Sequence, residues 1–96
     1  MDNLDVIRMK LSERDLLEQL AEECAELSKA SLKLIRGKDM SKNYTPKTAH
    51  ECEMDLREEI LDVLFVLKVM DRLPPLDMID KYEKSERWAK RLTQNE

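Results

Sequence analysis

EEILDVLFVL, residues 58–67, begins as a charged helical turn and then becomes apolar on nearly every side. When each position is advanced by about 100° around an axis, Val63 and Val66 fall on one stripe. Ala49, Cys52 and Leu56 continue that stripe upstream, and Met70 continues it downstream. Steps of three and four residues are those of a helix. Glu59 lies on the same stripe, and Asp62 sits at its edge one turn later. Leu61, Leu64 and Phe65 lie off it, so the stretch 60–70 needs neighbours on all sides. One short chain offers too few, which predicts a partner subunit.

Working outward, Thr45 and Pro46 read as an N-cap and first-turn proline, and Pro74 and Pro75 as a stop. The spacing therefore predicts a helix over 46–72. Upstream, Ser12 with Asp15 three residues on is a capping-box pattern. A second long helix is predicted over 13–36, with the stripe Leu17, Leu20, Cys24, Leu27, Ser31 and Leu34. Gly37 stands where a left-handed cap is expected. Residues 3–10 form a short helical lead-in, and 37–45 is a polar loop. Met78, Tyr82, Ser85, Ala89 and Leu92 predict a third helix over 76–93.

The chain has 96 residues, with 42% hydrophobic and 40% charged positions but only 4% aromatic. That composition suits long helices with a Leu, Ile, Val and Met core. The expectation is a single domain, 1–96, of the all-α class. It would be a helical hairpin plus a third helix, assembling into a four-helix-bundle-type dimer or tetramer.

A net charge of -4 argues against a general nucleic-acid surface. No apolar run is long enough to span a bilayer, and no secretory leader is visible. Cys24 and Cys52 are both expected to face the core, so a cytoplasmic protein with reduced thiols is the simplest reading. No EF-hand or phosphate-loop pattern is present. His50 has Lys47, not Glu, three residues before it, which disfavours a di-iron bundle. Trp88 reads as packing at a subunit interface.

The stretch LAEECAEL, 20–27, carries Glu22, Glu23 and Glu26. Glu23 borders the apolar arc and Glu26 follows at i+3. If the two long helices pack as a hairpin, Glu23, Glu26, Glu59 and Asp62 can converge. Converging carboxylates repel in a low-dielectric setting unless they take up protons or a cation. Oxygen-only donors favour Mg²⁺, Mn²⁺ or Ca²⁺ over zinc. The alternative is a solvated acidic face, with Glu26 matched by Lys29. Glu59 weighs against it, because Glu is seldom buried without a partner.

The paired words Glu22-Glu23-x-x-Glu26 and Glu58-Glu59-x-x-Asp62 resemble the signature of the MazG-like all-α nucleoside triphosphate pyrophosphohydrolases. The surrounding LAEECAELSKA and REEILDVLFVL are similar too, and the likeness runs from about 16 to 91. The segment between the two words is somewhat longer than is usual in that family. The resemblance implies Glu23, Glu26, Glu59 and Asp62 as Mg²⁺ ligands, with Mn²⁺ a substitute. It gives Glu22 a water-orienting role, and either Glu22 or Glu26 can take the proton of the attacking water. It implies cleavage of a (d)NTP to (d)NMP and pyrophosphate by a homodimer or homotetramer. Phosphate needs cations, for which Lys84 and Arg87 are the preferred pair and Lys42 a loop candidate. Lys38, Lys47, Lys81 and Arg91 stand behind them. Two other readings remain open. One is phosphoribosyl-ATP pyrophosphohydrolase, which the absence of a histidine after EEILDVLFVL disfavours. The other is a non-catalytic helical dimerisation or binding module.

Overall fold

The computed structural model describes residues 1–94, and among them no strand is present. Helix α1 spans Asn3–Lys10, α2 Glu13–Gly37, α3 Ala49–Val69 and α4 Glu83–Thr93, with a 3-10 turn at Leu76–Met78. The all-α expectation holds. None of these helices is long and apolar enough to cross a membrane.

Each of the first three helices opens on a capping box. Asp2 pairs with Asp5, Ser12 with Asp15, and Thr48 with Glu51. In each, a side-chain oxygen satisfies a backbone N–H that the helix leaves without a partner. The third box corrects the expected start of α3. Thr48, not Thr45, is the cap, because Thr48 Oγ1 accepts from Glu51 N at 3.1 Å while Glu51 Oε1 accepts from Thr48 N at 3.2 Å. Proline at 46 therefore precedes the helix.

The hairpin is antiparallel. Arg72, beyond the end of α3, reaches Glu13 at the start of α2 (3.4 Å). At the other end Gly37 lies against Ala49 and Cys52. Gly37 does not take the left-handed conformation expected of it; that role falls to Asp39, with φ 56°. Met40 N then bonds back to Ile35 O at 3.0 Å, which closes the end of α2. A short polar side chain tolerates this conformation, and glycine is used instead for close approach. Asp71, with φ 57°, ends α3 the same way, before the expected 72.

The buried core comprises Leu16, Ala30, Cys52, Val66 and Val69. On α3 the expected stripe is buried or half-buried throughout, Glu59 included. On α2 the seam keeps Leu20, Leu27 and Leu34 but takes Leu16, Glu23 and Ala30 in place of Leu17, Cys24 and Ser31. Leu16 and Ala30 are buried and Leu20, Glu23, Leu27 and Leu34 half-buried, whereas Leu17, Cys24 and Ser31 are exposed. This exchange corrects the core-facing expectation for Cys24, and it brings Glu23 inward.

Residues 71–94 are all exposed, and α4 packs against no other helix among the described residues. With no packing to stabilise a long helix there, local propensity alone decides. The predicted helix over 76–93 is accordingly broken into the 3-10 turn and α4. The radius of gyration is 17.3 Å, against about 12.5 Å for a compact chain of this length. Leu61 (65% exposed), Phe65 (47%), Trp88 (54%) and Leu92 (70%) remain open to solvent.

Helix α1 is tied to the end of α3 by Arg8, beside the half-buried Leu4 and Ile7. Arg8 Nε donates to Val69 O and Nη2 to Lys68 O, each at 2.9 Å, and Nη2 also reaches Asp71 at 3.2 Å. A guanidinium thus caps the negative end of α3. Replacing Arg8 with Met should lower stability by about 1 kcal/mol, a charge-assisted pair of bonds discounted for partial solvent access. Urea denaturation measures the loss, and limited proteolysis should cut within residues 1–12 sooner.

Candidate metal centre

The α2 seam places Glu23 opposite α3. One carboxylate oxygen from each of Glu23, Glu59 and Asp62 lies within 4.8 Å of the other two, and all three residues are half-buried. Glu23 Oε1 accepts from Gln19 Nε2 at 2.7 Å. Glu59 is the innermost: its Oε2 is shut off from solvent and has no hydrogen-bond partner. Burial pushes the Glu59 carboxyl above its ordinary pKa. The negative charges of Asp62, Glu23, Glu26 and Glu58 push it in the same direction. Each effect disfavours the ionised form.

Glu26 stands beside this group rather than within it. It is exposed, and Lys29 approaches its carboxylate at 3.6 Å. That pair is the match expected of a solvated acidic face, and it applies to Glu26 alone of the four candidates. Glu22 is exposed on the outer side of α2. The carboxylate convergence expected from the two sequence words is therefore realised by three residues, with Glu26 at the margin.

Among the described residues, none of the candidate phosphate-binding cations forms an ion pair with Glu23, Glu59 or Asp62. Lys42 is exposed in the loop. Lys84 and Arg87 lie on α4, where Lys84 shares a shallow concavity with Trp88, Arg91 and Leu92. Lys47 is committed elsewhere. Its Nζ donates to Asp55 at 2.6 Å, and that bond raises its pKa.

Gln19 was not among the sequence candidates. Its i,i+4 spacing from Glu23 was the available signal.

The donor set is all carboxylate oxygen, with one oxygen buried and unpaired. Both features fit a hard divalent cation, whose charge would offset the repulsion and give Glu59 Oε2 a partner. Neither cysteine nor histidine belongs to the cluster, so a soft-metal site does not fit.

Comparison with family models, with curated proteins and with solved structures finds no match for this chain. The reading of the site rests on its own chemistry.

Proposed function

We propose that this chain is a Mg²⁺-dependent nucleoside triphosphate pyrophosphohydrolase of the MazG-like kind, with Mn²⁺ able to substitute. The observation that carries the reading is the buried, unpartnered Glu59 oxygen among the carboxylates of Glu23 and Asp62. Such a group is relieved by a proton or by a cation, and three carboxylates facing one point offer a cation its donors. Glu23, Glu59 and Asp62 would hold the cation, and Glu26 would join them by releasing Lys29. When bound, Mg²⁺ offsets triphosphate charge and acidifies a coordinated water. Glu26, solvent-accessible at the margin of the cluster, would accept the proton of the attacking water at its carboxylate. Water adds at the α-phosphorus and the bond to the bridging oxygen breaks, giving a monophosphate and pyrophosphate.

The reading includes a homodimer or homotetramer. Leu61 and Phe65 on α3 and Trp88 and Leu92 on α4 are exposed large apolar side chains, and a second copy would cover them. Assembly is also the route by which Lys84 and Arg87 would reach the phosphates. Free cysteines at 24 and 52 suit a reducing cytoplasmic setting.

The test is pyrophosphate release from a panel of ribo- and deoxyribonucleoside triphosphates with Mg²⁺ present. Release with at least one of them, lost in Glu59→Gln, is expected. No release from any, with no stabilisation by Mg²⁺ or Mn²⁺, would leave the non-catalytic binding module as the reading.

A further inference from the structure

We infer that Gln19 is a positioning residue for Glu23, holding its carboxylate in place for a divalent cation without neutralising it. The inference rests on the cation reading of the cluster. Gln19 and Glu23 are one turn apart on α2, and the bond between them, at 2.7 Å, lies in a part-buried setting. An ionised carboxylate only accepts hydrogen bonds, so the amide must turn its NH₂ toward it. The distance is that of a charge-assisted bond.

The type of donor matters. Glu26, one turn further along α2, is approached by the ammonium of Lys29 at 3.6 Å. That contact offsets part of the charge a cation would use. Gln19 supplies direction alone and leaves the charge of Glu23 intact. Direction is needed here because carboxylate oxygens of Glu59 and Asp62 lie within 4.8 Å of one on Glu23. Repulsion would drive an untethered Glu23 into another rotamer, outward into water. Such outer partners of metal-binding carboxylates set affinity by about tenfold to a hundredfold.

Mn²⁺ titrated calorimetrically into the full chain tests this, alongside melting curves of the metal-free proteins. Gln19→Met keeps the length and helix propensity of the side chain and removes the donor. Wild type should bind Mn²⁺, and Gln19→Met should bind about tenfold more weakly. The metal-free melting temperature of the variant should be no lower than that of wild type. Equal Mn²⁺ affinity in the two proteins would overturn the role of Gln19 while leaving the metal centre standing. A lowered metal-free melting temperature with unchanged affinity would make Gln19 structural. Failure of wild type itself to bind Mn²⁺ would remove the metal centre and this role with it. Gln19→Lys restores a donor but adds positive charge, and it too should bind more weakly than wild type. Wild-type affinity in that variant would overturn the requirement for a neutral donor.

Discussion

Glu59→Gln should raise the melting temperature of the metal-free protein and abolish its stabilisation by Mg²⁺ or Mn²⁺. The substitution keeps the shape of the side chain. It removes a negative charge from among Glu23 and Asp62, and it offers their oxygens an NH₂ donor. A cation that binds the folded wild type alone would add about 2.7 kcal/mol with the free metal a hundredfold above its dissociation constant. For a chain of this size that is a rise on the order of 10 °C. The variant should show almost none of it. The pH dependence follows from the raised pKa of Glu59. The folded protein holds this proton more tightly than the unfolded chain, whose Glu titrates near its ordinary 4.5. The stability contribution of the group is therefore fully present below that value and is lost as pH rises through the higher folded-state pKa. Without metal, the advantage of Glu59→Gln over wild type should be small at pH 4 and widen toward neutrality. Melting curves from pH 4 to 7.5, with EDTA or with Mg²⁺, measure both effects. Matching curves for the two proteins at neutral pH under both conditions would remove the cation reading.

Much of this site was legible because two helices carry it by simple periodicity. The α3 stripe from Ala49 to Met70 is buried or half-buried as its spacing requires, Glu59 included. On α2 half of the expected stripe, Leu20, Leu27 and Leu34, lies on the seam, and Leu17, Cys24 and Ser31 give way to their preceding neighbours. Leu16 and Leu17 are both leucines, and Ala30 and Ser31 are both small. Hydropathy therefore allows either of two overlapping faces, which share Leu20, Leu27 and Leu34. The seam that formed buries Ala30 and exposes the Ser31 hydroxyl, which bonds Leu27 O at 3.0 Å. It also exposes Cys24, and it brings Glu23 to Glu59. The T-x-x-E box at 48–51 was a readable start signal, overshadowed by the Thr45-Pro46 pair. Between 76 and 82 the sequence has a helical stripe and nothing to pack it on. A pattern of that kind predicts a face, and it becomes a helix only where a neighbour covers it. This is why the positions of Lys84 and Arg87 relative to the carboxylates do not follow from one chain.

Gly37→Val should strongly damage the hairpin, because it acts where the end of α2 lies against the start of α3. A Cβ at position 37 would lie 2.9 Å from Cys52 Sγ and 3.4 Å from Ala49 Cα. Cys52 is 1% exposed, so its sulfur cannot swing out into solvent. Gly37 has ordinary negative φ, so backbone strain contributes nothing and the cost is steric. Overpacking of this kind costs about 1–3 kcal/mol. Valine's branch places a second carbon in the same gap, which puts it at the upper end, near 3 kcal/mol. Replacing glycine inside a helix regains at most about 1 kcal/mol of propensity, so the net effect remains destabilising. Gly37→Ala separates the two contributions, since alanine adds the clashing Cβ and little else. Cys52→Ala removes the sulfur it meets, at the cost of a small cavity. In a double-mutant cycle, Gly37→Ala should therefore destabilise less in the Cys52→Ala background, with a favourable coupling of about 1 kcal/mol. Urea unfolding of the four proteins at one chain concentration measures it. Additive losses would mean that the ends of α2 and α3 do not meet at this contact. The same contact fixes the hairpin register that brings Glu23 level with Glu59. A slip of one residue at Gly37 would carry the α2 acid round to Cys24's exposed position, so Gly37→Val should weaken Mn²⁺ binding along with stability.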